Sequence, residues 1–243
     1  MKKIITILFL AVCTACGYAA DSVKEPNILD KLNKKVKDLK NLTCRIDYTH
    51  TQPLFETSTT KKARLYYHKD AGNAALRINF TTLKQDQLDE QQYKQDYIFN
   101  GTHLTIIDYQ NKSVTSEQLA PEGKPIEPFE LVAGYFPIVG FIGTEKLSEQ
   151  FVISIPNDAN NNKKYTTVVL MPKENSQYSS VYKLVKFTVD MKLLLPCTFY
   201  AETQDNENIT INLSEINTEK RPGKSIFEVK TPAGFTETKI PLK

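Results

Sequence analysis

The chain has 243 residues, a formal net charge of +3 and 24% charged residues. This length is enough for one sizeable domain or two small ones. The charge falls by two, to +1, if Lys2 and Lys3 leave with a cleaved leader, so no strong field remains to attract nucleic acid or an anionic membrane. Composition therefore argues against a nucleic-acid-binding protein.

The first twenty residues have the pattern of an export signal. A basic start and an apolar run from Ile4 to Val12 are followed by small residues suited to cleavage. Ordinary cleavage after Ala19 or Ala20 would leave a single domain over residues 21–243 in the periplasm. Cleavage before Cys16 would instead leave a lipidated first residue, and hence an outer-membrane-anchored lipoprotein. Both routes remain open from the sequence.

Two cysteines, Cys44 and Cys197, lie outside the predicted leader. An isolated pair of cysteines in a chain bound for an oxidising compartment predicts a disulfide. Closing a loop of about 150 residues would stabilise the fold by roughly 5 kcal/mol. The alternative is two buried free thiols.

An amphipathic helix is predicted from Asn27 to Leu42, because apolar residues recur at helical spacing and lysines occupy the other side. Asn27 is its candidate N-cap. After it, the pattern changes to short β-rich runs separated by turn residues, and about a dozen strands in an antiparallel meander must curl to protect their edges. The predicted strands are Cys44 to Thr51, Lys62 to His68, Ala75 to Thr82, Tyr93 to Phe99, Leu104 to Tyr109, Lys112 to Leu119, Phe151 to Ile155, Tyr165 to Met171, Tyr182 to Val189, Cys197 to Glu202, Ile209 to Ile216 and Phe227 to Val229.

A central apolar segment, Pro125 to Gly143, interrupts the strands. Helical spacing within it favours helix, while its glycines and Pro137 break that helix into short pieces. So apolar a segment needs something apolar beneath it. It is either a plug that completes the core of the sheet or a lid over a ligand cavity.

Catalytic and metal-binding motifs are missing from the sequence. His50, His68 and His103 show no metal-ligand spacing, and no nucleophile elbow, phosphate loop or redox pair occurs after the leader. Asp89 and Glu90 lie in a polar stretch typical of a solvated turn. We therefore expect no enzyme activity, no metal and no cofactor.

The order of these parts resembles the LolA-type carriers of bacterial lipoproteins and the wider group of outer-membrane lipoprotein-sorting proteins. The resemblance spans nearly the whole chain after the leader, and it depends on the order of several motifs that are each weak. Those motifs are the strand-turn-strand segment Tyr97 to Tyr109, the central helix Glu127 to Ala133, the strand and turn Phe187 to Asp190 with Leu195-Pro196, and the closing F-x-x-x-x-P-x-G pattern from Phe227.

The resemblance implies a mainly β (α+β) fold: a strongly curved antiparallel sheet forming an incomplete β-barrel, with an N-terminal amphipathic helix and a central helical lid. Family carriers latch the lid with an arginine after the second strand. This chain has Lys69 at that place, and Arg77 is the other latch candidate.

The implied function is a periplasmic carrier or chaperone of lipoproteins or lipids, with an inner-membrane donor, an outer-membrane acceptor and a monomeric state. A membrane-tethered lipoprotein receptor of the same fold and an envelope interaction domain without a lipid pocket are the alternatives. Two-residue alternation in the strands and the apolar central segment predict which side chains contact acyl chains. They are Leu65, Tyr67, Ile78, Phe80, Leu104, Ile106, Phe129, Val132, Phe136, Ile138 and Phe141.

Overall fold

The computed structural model describes residues 28–70, 72–133, 136–156 and 164–242. The predicted leader, its Cys16 and the proposed N-cap Asn27 lie outside these residues. The described part holds three short α-helices: α1 (Ile28–Lys37), α2 (Pro128–Val132) and α3 (Thr144–Gln150). Its strands are β1 (Asn41–Gln52), β2 (Thr57–Asp70), β3 (Asn73–Gln85), β4 (Gln91–Phe99), β5 (His103–Asp108), β6 (Ser113–Gln118), β7 (Phe151–Ser154), β8 (Tyr165–Pro172), β9 (Tyr182–Asp190), β10 (Leu195–Thr203), β11 (Asn208–Asn217) and β12 (Thr236–Ile240).

All twelve strands form one curved sheet that does not close. The order is β12-β6-β5-β4-β3-β2-β1-β11-β10-β9-β8-β7, so two meanders meet where β1 pairs with β11. Neighbours are antiparallel except β12, which lies parallel to β6. The predicted mainly β fold with an open, curved sheet is thus confirmed, whereas a single uninterrupted meander is not what forms.

The last predicted strand is wrong. Lys224–Phe227 forms a 3₁₀ turn, and the residues up to Val229 pair with no strand. The edge strand is instead Thr236–Ile240, whose partner β6 lies more than a hundred residues earlier. A short run shows no local sign of such a distant partner, because strand formation depends on pairing as much as on propensity.

Helix α1 also ends earlier than predicted, at Lys37. Asn41 and Leu42 already belong to β1, where they pair with His68 and Tyr67 of β2. The apolar face of α1 is as expected: Leu32 is buried, and Val36 packs against the same core. The helix therefore covers one end of the sheet and leads within a few residues into β1.

Two apolar clusters lie on opposite faces of the sheet. The large one, on the concave face, takes residues from β1–β4, β7–β11 and all three helices. The small one contains Ile98, Ile107 and Val114 on the convex face, with Tyr109 and Phe235 packed against it. Residues 218–240, which we call the C-terminal segment, supply Phe235 and cover this second cluster.

Candidate functional site

Strand alternation places most of the predicted contact residues together on the concave face. Leu65 and Tyr67 of β2 lie directly opposite Ile78 and Leu76 of β3, and all four are buried. Of the predicted set, only Leu104 and Ile106 of β5 fall outside the large cluster. The structure therefore gathers the remaining predicted residues, from both the strands and the central segment, into one apolar site.

The described parts of the central segment, residues 125–133 and 136–143, fill the hollow of the sheet with their own rings. Phe129 stacks on Phe141 with ring centroids 4.6 Å apart, and it lies 4.8 Å from the ring of Tyr67. Phe136 reaches further along the concave face, where it meets the rings of Tyr48, Phe80 and Tyr97 at 5.5–5.9 Å. In this structure the segment acts as a plug that completes the core.

The plug is built from short pieces, as its glycines and prolines predict. Pro128 begins the five-residue helix α2, and a single 3₁₀ turn spans Val139–Phe141. Gly140 is needed because a Cβ there would lie 2.9 Å from Pro196 Cγ and 3.1 Å from the ring of Phe187. The segment consequently touches the floor of the site without the continuous hydrogen bonding of a long helix.

Lys69, one of the two candidate latch residues, contacts the start of the central segment. Its ammonium donates a hydrogen bond to the carboxylate of Glu127, the residue that precedes α2. Lys146 of α3 donates to Glu130 of α2 at 2.6 Å. Both ion pairs are partly exposed, so they orient the plug and add only modestly to stability.

The prediction of Arg77 as a lid latch is wrong, because alternation along β3 points its side chain to the convex face. There it donates to Asp96 at 2.7 Å and to the carbonyl oxygen of Ile226 at 2.7 Å. The hydroxyl of Tyr109 also donates to Asp96, at 3.2 Å. Arg77 thus ties down the C-terminal segment instead of the plug.

A crevice of about 310 Å³ opens where α1, α2 and α3 meet β2. Its apolar floor includes Tyr67, Phe129 and Phe141, and its rim carries three lysines and three glutamates. Burial, aided by the charge of Glu127, raises the pKa of Tyr67 well above its ordinary value, so the hydroxyl stays neutral. The volume is near the lower end for a small-molecule site, and the apolar floor with a charged rim suits an amphiphile.

The predicted disulfide is also wrong, since Cys44 and Cys197 are both free thiols. Strand β11 lies between β1 and β10, which separates the two backbones by two strand spacings, about 9.5 Å. A disulfide needs Cα atoms within about 7 Å. Burial, the largest influence, raises the pKa of the Cys44 thiol to about 12.

Lys61 is a concave-face residue that the sequence reasoning missed. It shares the parity of Ala63, Leu65 and Tyr67 on β2, so its side chain points to the inside of the sheet. Its ammonium lies 4.8 Å from the ring centroid of Tyr93. Counting the alternation back from Leu65 would have found it, but a lysine in a strand is usually taken as solvent-facing.

The histidines have ordinary partners. His50 pairs with Glu207 at 2.8 Å, His68 with Asn41 at 2.8 Å, and His103 with Thr102 at 3.0 Å. Within the described ranges, no three His, Cys, Asp or Glu side chains gather as metal ligands would. No helix in those ranges is both long and apolar enough to cross a membrane.

Comparison with known proteins gives structural matches only. No protein-family model matches the sequence, and no curated protein matches it. An uncharacterized conserved protein from Thermus thermophilus is similar in structure, with a TM-score of 0.53 and 8% identity, covering 87% of this chain and 96% of its own. This likeness supports the fold.

Two further matches have TM-scores too low to carry an argument by themselves. MucB in its complex with MucA from Pseudomonas aeruginosa matches with a TM-score of 0.47 and 10% identity, over 84% of this chain and 60% of MucB. A LolA superfamily protein from Nitrosomonas europaea matches with a TM-score of 0.37 and 11% identity, over 83% of this chain and 96% of its own. The mainly β architecture with one open, curved sheet is the one expected from the sequence.

Proposed function

We propose that this protein is a non-catalytic envelope protein that binds the acyl chains of lipids or lipoproteins between the concave face of its sheet and the central segment. In this role it is a monomeric periplasmic carrier or chaperone, which takes cargo from an inner-membrane donor and passes it to an outer-membrane acceptor. If Cys16 is the processing site, the same domain is a membrane-tethered receptor.

One observation carries the proposal: one ring of the plug that covers the apolar concave face, that of Phe136, is held by apolar contacts alone. Phe136 is only partly buried, and its contacts with Tyr48, Phe80 and Tyr97 are ring contacts without a hydrogen bond. Hydrocarbon can replace such contacts, because apolar burial is not directional. The residues beneath would remain buried when an acyl chain takes the place of the ring.

The energetics suit a carrier. Each methylene removed from water contributes about 0.8 kcal/mol, so a long acyl chain offers on the order of 10 kcal/mol of binding energy. Displacing one partly buried aromatic ring costs roughly 1.5–3 kcal/mol. The surplus favours exchange of plug for ligand, while the plug keeps the empty protein from exposing its concave face.

A second candidate is an envelope interaction domain with no lipid pocket. The filled interior favours it, since Phe129 and Phe141 are buried among other rings, and the crevice near α2 lies beside them, not beneath them. Under this reading the plug is permanent core. The two candidates differ in one measurable property, the uptake of an acyl chain.

Native mass spectrometry of gently purified protein tests the proposal, followed by titration with palmitate and with a lysophospholipid. We expect bound acyl ligand in the purified sample or uptake on addition. The Phe136→Ala variant should bind palmitate about five- to tenfold more tightly, because the ligand then displaces less protein. Phe235→Ala is the matched control, since Phe235 packs on Tyr109 of the convex face at 5.5 Å.

Three outcomes are informative. Tighter binding by Phe136→Ala and no change for Phe235→Ala support the exchange of plug for acyl chain. Equal effects of both variants would place any binding site elsewhere. If the wild-type protein takes up neither ligand, the interaction domain is the remaining candidate.

A further inference from the structure

The concave face changes character beyond the plug, toward the β1–β2 hairpin tip. Tyr48 of β1 lies directly opposite Lys61 of β2, and Tyr93 and Gln95 continue the same face on β4. These side chains are only partly buried. The site thus has two parts, an apolar part that the plug fills and a half-open part lined by tyrosines and one lysine.

Lys61 has no polar partner among the described residues. Its ammonium lies over the rings of Tyr93, at 4.8 Å from the centroid, and Phe80, at 5.8 Å. The adjacent Lys62 points to the other face and donates a 2.8 Å hydrogen bond to Glu90. Two neighbouring lysines therefore differ: one has a carboxylate partner, and the other has only ring faces.

An unpaired, half-buried ammonium is costly. Burial is the main influence and lowers the pKa of Lys61, while the charge of Asp108 opposes that shift. Ring faces offset part of the cost through cation–π attraction, but its three N–H donors find no acceptor among the described residues. An anionic group placed beside the rings would give these N–H donors an acceptor.

The ammonium stands next to the ring that we expect an acyl chain to displace. The ring of Phe80 contacts both groups: its centroid lies 5.8 Å from the Lys61 ammonium and 5.9 Å from the ring centroid of Phe136. A chain lying along β2 in place of Phe136 would thus bring its polar end to Lys61.

We propose that Lys61 binds the anionic head, a carboxylate or a phosphate, of an acyl ligand whose hydrocarbon replaces Phe136. This inference rests on the proposed function and adds a selectivity to it: anionic amphiphiles bind better than neutral ones of equal chain length. The nearby carboxylates do not serve as acceptors for Lys61, because Glu207 is held by His50 and Gln52 and Asp108 caps its own turn.

Matched ligands test the selectivity. Palmitate, palmitoyl lysophosphatidic acid and neutral monopalmitoylglycerol are titrated into the full processed chain at pH 7 by isothermal calorimetry. The wild type should bind the two anionic ligands about tenfold more tightly than the neutral one. Lys61→Met should remove that preference and leave the affinity for monopalmitoylglycerol within about twofold, whereas Lys61→Arg should keep it.

Lys62→Met is the control, since it removes the same charge from the adjacent position on the opposite face. If it weakens anionic binding as much as Lys61→Met does, the preference comes from general charge and the inference is overturned. Equal binding of all three ligands by the wild type overturns the selectivity but leaves the proposed function standing. If none of the three ligands binds, both fail. Thermal unfolding of each variant identifies any loss of fold.

Discussion

The two faces of the sheet are covered in different ways. On the concave face, the plug is held by rings such as Phe129 and Phe136 and by partly exposed lysine–glutamate pairs. On the convex face, the C-terminal segment is held by Arg77, which donates to Ile226 and to a fully buried Asp96. Ring contacts accept any apolar replacement, whereas a buried ion pair accepts only its own partner. Under the proposed function, the plug is therefore the exchangeable cover and the C-terminal segment the fixed one.

The largest expected effect is on the fixed cover. Asp96→Ala should lower the free energy of unfolding by about 3–5 kcal/mol, because it leaves the mostly buried Arg77 guanidinium without its counter-charge. Urea denaturation measures this. Glu228→Ala removes the exposed pair with Lys230 and should cost less than about 0.5 kcal/mol. A loss of less than about 1 kcal/mol for Asp96→Ala would mean that the buried ion pair does not fix the cover of the convex face.

Thiol labelling compares the faces in a second way. Cys44 is buried under the concave-face cover, and burial raises its pKa from 9.0 to about 12, so its thiolate fraction at pH 8 falls roughly a thousandfold. Burial also raises the pKa of the half-exposed Cys197, though its access to reagent is better. We expect Cys197 to react first in the native protein, as peptide mass spectrometry would show.

The same experiment in denaturant without reductant should label both cysteines fully. Protection of the pair after unfolding would instead mean that they are joined by a disulfide. The raised pKa also predicts how stability changes with pH. The folded state keeps the Cys44 thiol protonated, so its contribution to stability is present below about pH 9 and is lost as the pH rises toward 12.

The Gly140→Ala variant tests how closely the plug packs against the strands beneath it. The added Cβ would lie 2.9 Å from Pro196 and 3.1 Å from Phe187, and overpacking of this kind costs about 1–3 kcal/mol. Gly223→Ala is the control, because its Cβ would approach only Ser225, at 3.9 Å. Thermal unfolding of the two variants should differ clearly; equal stability would mean that the plug moves aside at little cost.

The smallest effect is expected at the latch. Lys69→Met removes a partly exposed ion pair with Glu127 and should cost less than about 1 kcal/mol. It should nevertheless speed the uptake of a fluorescent fatty acid in stopped-flow measurements, because it frees the start of α2. Lys37→Met removes the exposed pair with Glu145 and should leave the rate unchanged. Slower uptake by Lys69→Met would contradict a latch.

The local pattern of residues in the sequence predicted much of the fold and part of the site. Alternation found eleven of the twelve strands within a few residues of their ends, because half-buried strands repeat every two residues. It also grouped Leu65 with Tyr67 and Ile78 with Phe80 along their strands, and the structure buries all four on the concave face. The breaks in the plug followed from its glycines and prolines, whose backbone limits are local properties.

The failure at Arg77 was avoidable, because on β3 it has the opposite parity to Ile78 and Phe80, which alternation had placed inward. The other failures share a non-local cause. Cys44 cannot reach Cys197 because β11 lies between their strands. Strand β12 forms only because β6 offers it an edge. Pairing between distant strands decides each of these, and residue type alone does not encode it.

Neighbours in the chain fix which segments can become strands, where the apolar segment interrupts them and which residues alternate, so the sequence alone predicts these features. Contacts between distant parts of the chain fix which alternate set faces inward, and they place Phe129, Phe136 and Phe141 in the hollow. The folded sheet also brings the rings of Phe80 and Tyr93 to Lys61. A one-residue change of strand register would turn the side chains of Lys61, Phe80 and Tyr93 to the opposite face.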